Sequence, residues 1–261
     1  MHLEVLANTS NITRPTPILF VHGAWLGAWC WENFQRYFAQ HGYASYAVNL
    51  RGHGASEGRE NIRWHSAAYG YVADVAQVAN SLDREPIIVG HSMGGYVAQK
   101  YLENHSAEAC VLLATCPVSG TRGFAARFAM RHPWAFIKSQ TLMSLWHAVG
   151  TPELVQDTFF SPQVPAEEIA QHFARLQQES FRMELETLFL DLPRPERVKT
   201  PMLVLAAEND RVFSVPEQQA TARAYGTEAE IFPRMAHVMM LEPGWQLVAD
   251  RILSWAAGRG L

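Results

Sequence analysis

The chain has 261 residues, 48% hydrophobic and 18% charged, with a formal net charge of -4 at pH 7. This composition excludes the charged, core-poor signature of disorder, and the length suits one substantial core with room for an inserted subdomain. The acidic balance offers no field for gathering phosphates, so nucleic acid is not an expected partner.

Nor is a stable membrane span expected. No run reaches the roughly eighteen apolar residues of a span, and Met1 to Arg14 lacks the basic start and apolar stretch of a secretion signal. A cytoplasmic protein is the expectation.

In chain order, the first strand read from the pattern is Ile18 to Val21, followed at once by His22-Gly23-Ala24-Trp25. A helix carries Trp31, Phe34 and Phe38 on one face, and Ser45 to Val48 reads as the next strand. Val72, Val75, Ala79 and Leu82 then repeat at helical spacing.

Ile87 to Val89 reads as a strand, Gly90-His91-Ser92-Met93-Gly94 has the GxSxG spacing, and Tyr96 to Tyr101 reads as a helix. The five-residue pattern alone is weak; the strand before it and the helix after it give it meaning. A serine on such an elbow stands in a strained backbone region clear of the sheet, and Gly90, Gly94 and Gly95 leave the space it needs. A phosphate-binding turn is the competing reading. No Lys follows as in a P-loop, however, and no GxGxxG is present. Ser92 is therefore the expected nucleophile.

After a strand at Cys110 to Ala114, residues 117–199 separate it from the next strand by far more than a compact loop takes. An inserted helical cap is expected over 117–199, with 1–116 and 200–261 forming the core domain. Within it, Pro165 with Glu167 and Glu168 marks a helix start, and Leu192-Pro193-Arg194-Pro195 a stop. Phe124 and Phe128 lie four residues apart, as do Arg127 and Arg131, in a stretch from Ala109 to Pro152 without a carboxylate. One reading is a solvated surface whose acidic partners come from elsewhere. The sharper one has Trp25, Phe124, Phe128, Trp134 and Trp146 forming an apolar acyl pocket, with Arg122, Arg127, Arg131 and Lys138 favouring anionic substrates at its mouth.

Met202 to Ala206 and Ala229 to Phe232 complete the strands, and Trp245, Val248, Ala249 and Ile252 mark a closing helix. Strands alternating with helices predict an α/β protein with a mostly parallel sheet. With a serine on the elbow, an acid and then a histidine are expected later in the chain. Asp210 follows the strand from Met202 and His237 follows the strand ending at Phe232, so both leave the carboxyl ends of strands. Glu208 is the rival acid. An acid beyond the preceding strand is excluded, since none lies between Glu108 and Glu153. The backbone N–H groups of Ala24 and Met93 are the expected pair for the negative oxygen of a tetrahedral intermediate.

These segments together resemble the serine α/β-hydrolases, carboxylesterase- and lipase-like, over essentially the whole sheet-forming part of the chain. His22 to Trp31 looks like the opening of bacterial carboxylesterases and of plant methyl esterases and hydroxynitrile lyases, and Met235 to Leu241 is similar to their catalytic-histidine segment. Asn49 to Ser56 resembles a D-x-R-G-x-G-x-S loop with Asn49 in place of Asp, and Ala236 stands where many members have Gly. The resemblance implies the α/β-hydrolase fold and chemistry, and leaves the substrate open.

The expected activity is cleavage of a small-molecule ester, thioester or lactone through an acyl-enzyme on Ser92, with His237 as base and Asp210 orienting it. Eleven histidines show no HExxH spacing, so no metal or cofactor is expected. Cys30, Cys110 and Cys116 lack CxxC spacing and read as small buried hydrophobes. Rivals are a carbon-carbon bond hydrolase or lyase on the same residues, and a binding protein on the same fold. Resemblance implies that the lyases carry Lys after the histidine, where Val238 stands here. Ser92 in place of Asp also argues against haloalkane dehalogenase and epoxide hydrolase.

Overall fold

A computed structural model describes residues 1–10 and 12–261. Among the described residues seven strands form one sheet: β1 (Val5–Asn8), β2 (Ile18–Val21), β3 (Ser45–Val48), β4 (Ile87–His91), β5 (Ala109–Leu113), β6 (Met202–Ala207) and β7 (Ala229–Phe232). Their spatial order is β1-β3-β2-β4-β5-β6-β7, with β1 antiparallel to β3 and every other pair parallel. Chain order reverses between β2 and β4. That reversal opens a crevice at their carboxyl ends, where ligands of such sheets bind.

The central strands β2, β4, β5 and β6 are buried at every residue, as continuous aliphatic runs of parallel sheets require. β5 begins at Ala109 and ends at Leu113, one residue earlier than its apolar run suggests, because Ala114 takes a left-handed φ of 44°. β1 carries no such run. It is held from outside by antiparallel pairing of Val5 to Asn8 with Val48 to Ser45.

Helices α1 (Glu32–Gln40), α2 (Val72–Ala79), α3 (Met93–Leu102), α9 (Val215–Ala224) and α10 (Trp245–Ala257) accompany the strands. On α1 the buried face is Phe34 and Phe38, while Trp31 belongs to the tight turn just before it and stacks on Phe20 at 4.8 Å. α2 ends at Ala79, so Leu82 lies beyond the helix that its spacing suggests. α9 starts at Val215, with Pro216 in its first turn, under a capping box between Ser214 and Glu217.

Helices α4 (Arg122–Arg131), α5 (Pro133–Thr141), α6 (Pro152–Phe159), α7 (Ala166–Phe173) and α8 (Phe181–Leu185) all fall between β5 and β6. Their starts are written locally. Pro133 and Pro152 occupy the first turns of α5 and α6, Pro165 immediately precedes α7, and the Ser180 hydroxyl accepts from the Met183 N–H at 3.2 Å. All three cysteines are buried and unpaired. Among the described residues no helix is long and apolar enough to cross a membrane.

Candidate active site

Ser92 follows β4 directly and caps α3 with φ 53° and ψ -117°. A non-glycine residue there carries strain of about 1–3 kcal/mol, held by close packing on both sides. A Cβ on Gly90 would stand 2.5 Å from the Gly94 carbonyl oxygen, and one on Gly94 would collide with the Val21 carbonyl oxygen. The elbow is thus wedged against β2.

His237 and Asp210 converge on Ser92 from the far strands. His237 Nε2 lies 2.9 Å from Ser92 Oγ, and His237 Nδ1 lies 2.9 Å from Asp210 Oδ2. The Asp210 carboxylate also accepts from the N–H groups of Val212 and Phe213 at 2.7 and 3.0 Å, which fixes its plane. Glu208 is engaged elsewhere: its carboxylate accepts from the Arg234 N–H at 2.9 Å, within the loop that carries His237.

The imidazole is caged by Phe213 at 5.5 Å and Phe159 at 5.9 Å between ring centres, residues the sequence pattern did not mark. Beneath it, His91 Nε2 lies 3.0 Å from the His237 carbonyl oxygen. Burial holds the His91 imidazole neutral, well below its ordinary pKa, so Nε2 carries the proton and donates it to that carbonyl. His91 thereby anchors the loop that presents His237.

Ala24 and Met93 line the same cavity as Ser92, and among the described residues neither N–H has an acceptor. Met93 opens α3, where the first N–H groups have no partner within the helix. The loop before Ala24 is pinned by His22, whose Nδ1 lies 2.9 Å from the Gly23 carbonyl oxygen while Nε2 accepts from the Leu50 N–H at 3.2 Å. After it, Trp25 takes φ 63° and is gripped on both sides by the segment before α8: its carbonyl accepts from the Gln177 N–H at 2.9 Å, and its N–H donates to Glu179 at 3.3 Å. Glu179 is fully buried and also accepts from the Tyr71 hydroxyl at 2.7 Å. Burial works against its ionised form, yet His53, the Ser180 N–H and the Tyr71 hydroxyl hold its pKa below the ordinary value.

Asn49, where the resembled loop carries Asp, is explained by its neighbours. Its Oδ1 accepts from the Ala28 N–H and its Nδ2 donates to Glu4, each at 2.7 Å. A carboxylate at 49 would face the Glu4 carboxylate instead.

Two cavities meet at Ser92. The larger is walled mainly by apolar groups, among them Trp25, Phe124, Phe128, Phe136 and Met183, and the smaller runs past His237 and Val238 towards Phe160 and Leu176. Trp134 does not join the wall, contrary to the sequence expectation; it is 76% exposed. Residues two apart on a helix point about 200° apart, so the α5 phase that turns Phe136 inward turns Trp134 outward. Trp146 also lies outside both walls and packs against Phe173 at 6.1 Å.

Two of the four basic residues find acidic partners elsewhere in the chain. Arg127 pairs with Glu217 and Arg131 with Asp157, each at 2.8 Å, and none of Arg122, Arg127, Arg131 or Lys138 lines either cavity. The solvated-surface reading is the one the geometry supports. Among the described residues no cluster of three His, Cys, Asp or Glu side chains is placed to hold a metal ion.

A doubly wound sheet with this elbow at its switch point defines the class of the protein as an α/β hydrolase. The chain belongs to the alpha/beta hydrolase family, whose model matches residues 18–251. It is 36% identical over 107 residues to a non-heme chloroperoxidase of Streptomyces lividans, a match spanning 39% of this chain and 38% of that protein. A monoacylglycerol lipase of Mycolicibacterium smegmatis is 24% identical over 251 residues, covering 91% of this chain and 86% of the relative. An esterase from Exiguobacterium antarcticum shares the fold with a TM-score of 0.76 at 17% identity, over 97% of this chain and 94% of its own.

Proposed function

We propose that this protein is a serine hydrolase that cleaves carboxylic esters of small to medium apolar substrates. One observation carries the reading: Ser92 Oγ, His237 and Asp210 stand in a hydrogen-bonded line with both links at 2.9 Å, at the floor of an apolar cavity. His237 takes the Ser92 proton as Oγ attacks the ester carbon, and Asp210 holds the imidazole with Nδ1 protonated and steadies its cation. The N–H groups of Ala24 and Met93 receive the developing negative oxygen, each contributing on the order of 3 kcal/mol. His237 then protonates the leaving alcohol, and water activated by the same imidazole frees the acid from Ser92. Residues 117–199 act as a cap that supplies most of the cavity wall. The lipase relative supports an ester over a carbon-carbon bond as the target of these residues.

A fluorophosphonate probe followed by intact-mass analysis tests the nucleophile, and nitrophenyl esters beside dienone acids test the bond. One adduct per chain is expected, absent in Ser92→Ala and strongly reduced in His237→Ala. Turnover confined to the dienone acids would replace the ester reading, and adduct formation on Ser92→Ala would end it.

A further inference from the structure

The larger cavity holds one ionisable group that the proposed chemistry does not use. Glu184, on α8, lines it beside Gln140 of α5, and the Gln140 side-chain N–H donates to Glu184 Oε1 at 3.0 Å. A carboxylate only accepts, which sets the amide this way round and leaves Gln140 Oε1 as a second acceptor. Among the described residues nothing hydrogen-bonds Glu184 Oε2, which is buried, while Gln140 Oε1 has no protein donor and stays open to solvent. One buried acceptor without a donor, with a second acceptor beside it, therefore sits on a wall that is otherwise mainly apolar, with the hydroxyls of Thr121, Ser139 and Thr187 among its lining. Burial raises the Glu184 pKa, and the Gln140 bond offsets this only in part, so the empty cavity leaves the carboxylate short of protons to accept.

Leaving such a group unsatisfied is unfavourable, and a donor carried by a ligand in the cavity would relieve it. Rotation about the last bond of a Glu side chain is soft, so the carboxyl turns towards an entering donor without leaving its rotamer. The position of the base says which part of the substrate brings it. The leaving alcohol must face His237, which lines the smaller cavity and not the larger one. Glu184 therefore belongs to the acyl side.

Resting on the serine-hydrolase reading, we propose that the preferred substrates are esters whose acyl chain carries a hydrogen-bond donor, a hydroxyl or an amine, and that Glu184 and Gln140 receive it. The pair then acts as a specificity determinant within an apolar acyl pocket. Esters ending in a plain methyl group fill the wall but leave Glu184 Oε2 without a donor.

The test uses nitrophenyl esters of unbranched acids in matched chain lengths, ending in methyl, hydroxyl or ammonium, with wild type, Glu184→Gln and Glu184→Leu. At the best-fitting length, kcat/KM for donor-ended esters over methyl-ended ones is expected to fall roughly tenfold or more in Glu184→Leu. Glu184→Gln keeps an acceptor and should retain the hydroxyl preference while losing the ammonium one. Titration of the Ser92→Ala protein with the same esters, with and without Glu184→Leu, reads binding apart from turnover. A wild type that turns over no ester would end the ester reading, while the binding ratios still decide the role of Glu184. Ratios that do not change with the residue at 184, in turnover or in binding, would overturn this proposal and leave the ester reading standing.

Discussion

His22 offers a sharp test of how the loop before Ala24 is held. The Gly23 carbonyl can only accept and the Leu50 N–H can only donate, so the ring between them must be neutral, with its proton on Nδ1. Burial, with His53 close by, pushes the imidazole from its ordinary 6.5 down to about 3. As pH falls below 6.5 the unfolded chain takes up this proton and the native one does not, so stability is lost from 6.5 downward until the native ring titrates near 3. The slope for one such group is about 1.4 kcal/mol per pH unit, which amounts to about 2 kcal/mol by pH 5. The perturbation is His22→Gln, which keeps a donor and an acceptor but cannot titrate, with His22→Asn as a second variant. Urea unfolding of wild type and variant at a series of pH values between about 7.5 and 5 reads the difference directly. The variant is expected to be less stable at the upper end through lost packing, and the gap should narrow by about 2 kcal/mol at the lower end. Other titrating groups, His91 included, are common to both proteins and largely cancel. Parallel curves would refute the reasoning, because they would mean that position 22 exchanges no proton between the two states.

Four further substitutions have measurable consequences. Asp210→Asn should lower kcat on the best nitrophenyl ester by about three to four orders of magnitude with the fold intact by circular dichroism, since the amide favours the wrong imidazole tautomer. Glu208→Gln should cost far less, since among the described residues the Glu208 carboxylate accepts only from the Arg234 N–H, and a reversed order would make Glu208 the acid. Gly94→Ala should drive the elbow off β2 and destabilise the protein by more than about 3 kcal/mol in urea unfolding, a value near zero contradicting the wedge. Glu179→Gln should remove stability present above the ordinary glutamate pKa of 4.5 and lost as pH falls through its lower native value, so variant and wild type should converge on acidification.

Much of the fold is legible in the sequence for one physical reason. Strands β2, β4, β5 and β6 are covered on both faces, so they read as unbroken aliphatic runs, and the residues immediately beyond them carry the candidate chemistry. Ser92, Asp210 and His237 are found by position because each leaves a strand at the same end of the sheet. β1 escapes notice because a half-buried edge strand of four residues has no such run. Residue type alone points Trp134 to the cavity, whereas the helix phase starting at Pro133 gives the place to Phe136; spacing within α5 holds that information, since Phe136, Ser139 and Gln140 share the inward face.

What the sequence hides is pairing over long separations. Glu179 and Gln177 read as polar residues of a connecting stretch, with no local signal that one meets the Trp25 N–H and the other the Trp25 carbonyl. Gln177 reaches further, accepting from the Gly54 N–H at 2.9 Å, so residues 177–179 tie the loop after β2 to the loop after β3. The consequence concerns rate as much as selectivity. Residues between β5 and β6 wall the cavity and, on the proposed reading, select the substrate, but this strap also sets the backbone next to Ala24, one of the two N–H groups proposed to meet the negative oxygen. A donor displaced by a few tenths of an ångström loses part of its electrostatic effect on the transition state while substrate still binds. Changes at 177–179 should therefore appear in kcat, and changes at Phe124, Phe128, Phe136 or Glu184 in the ranking of substrates.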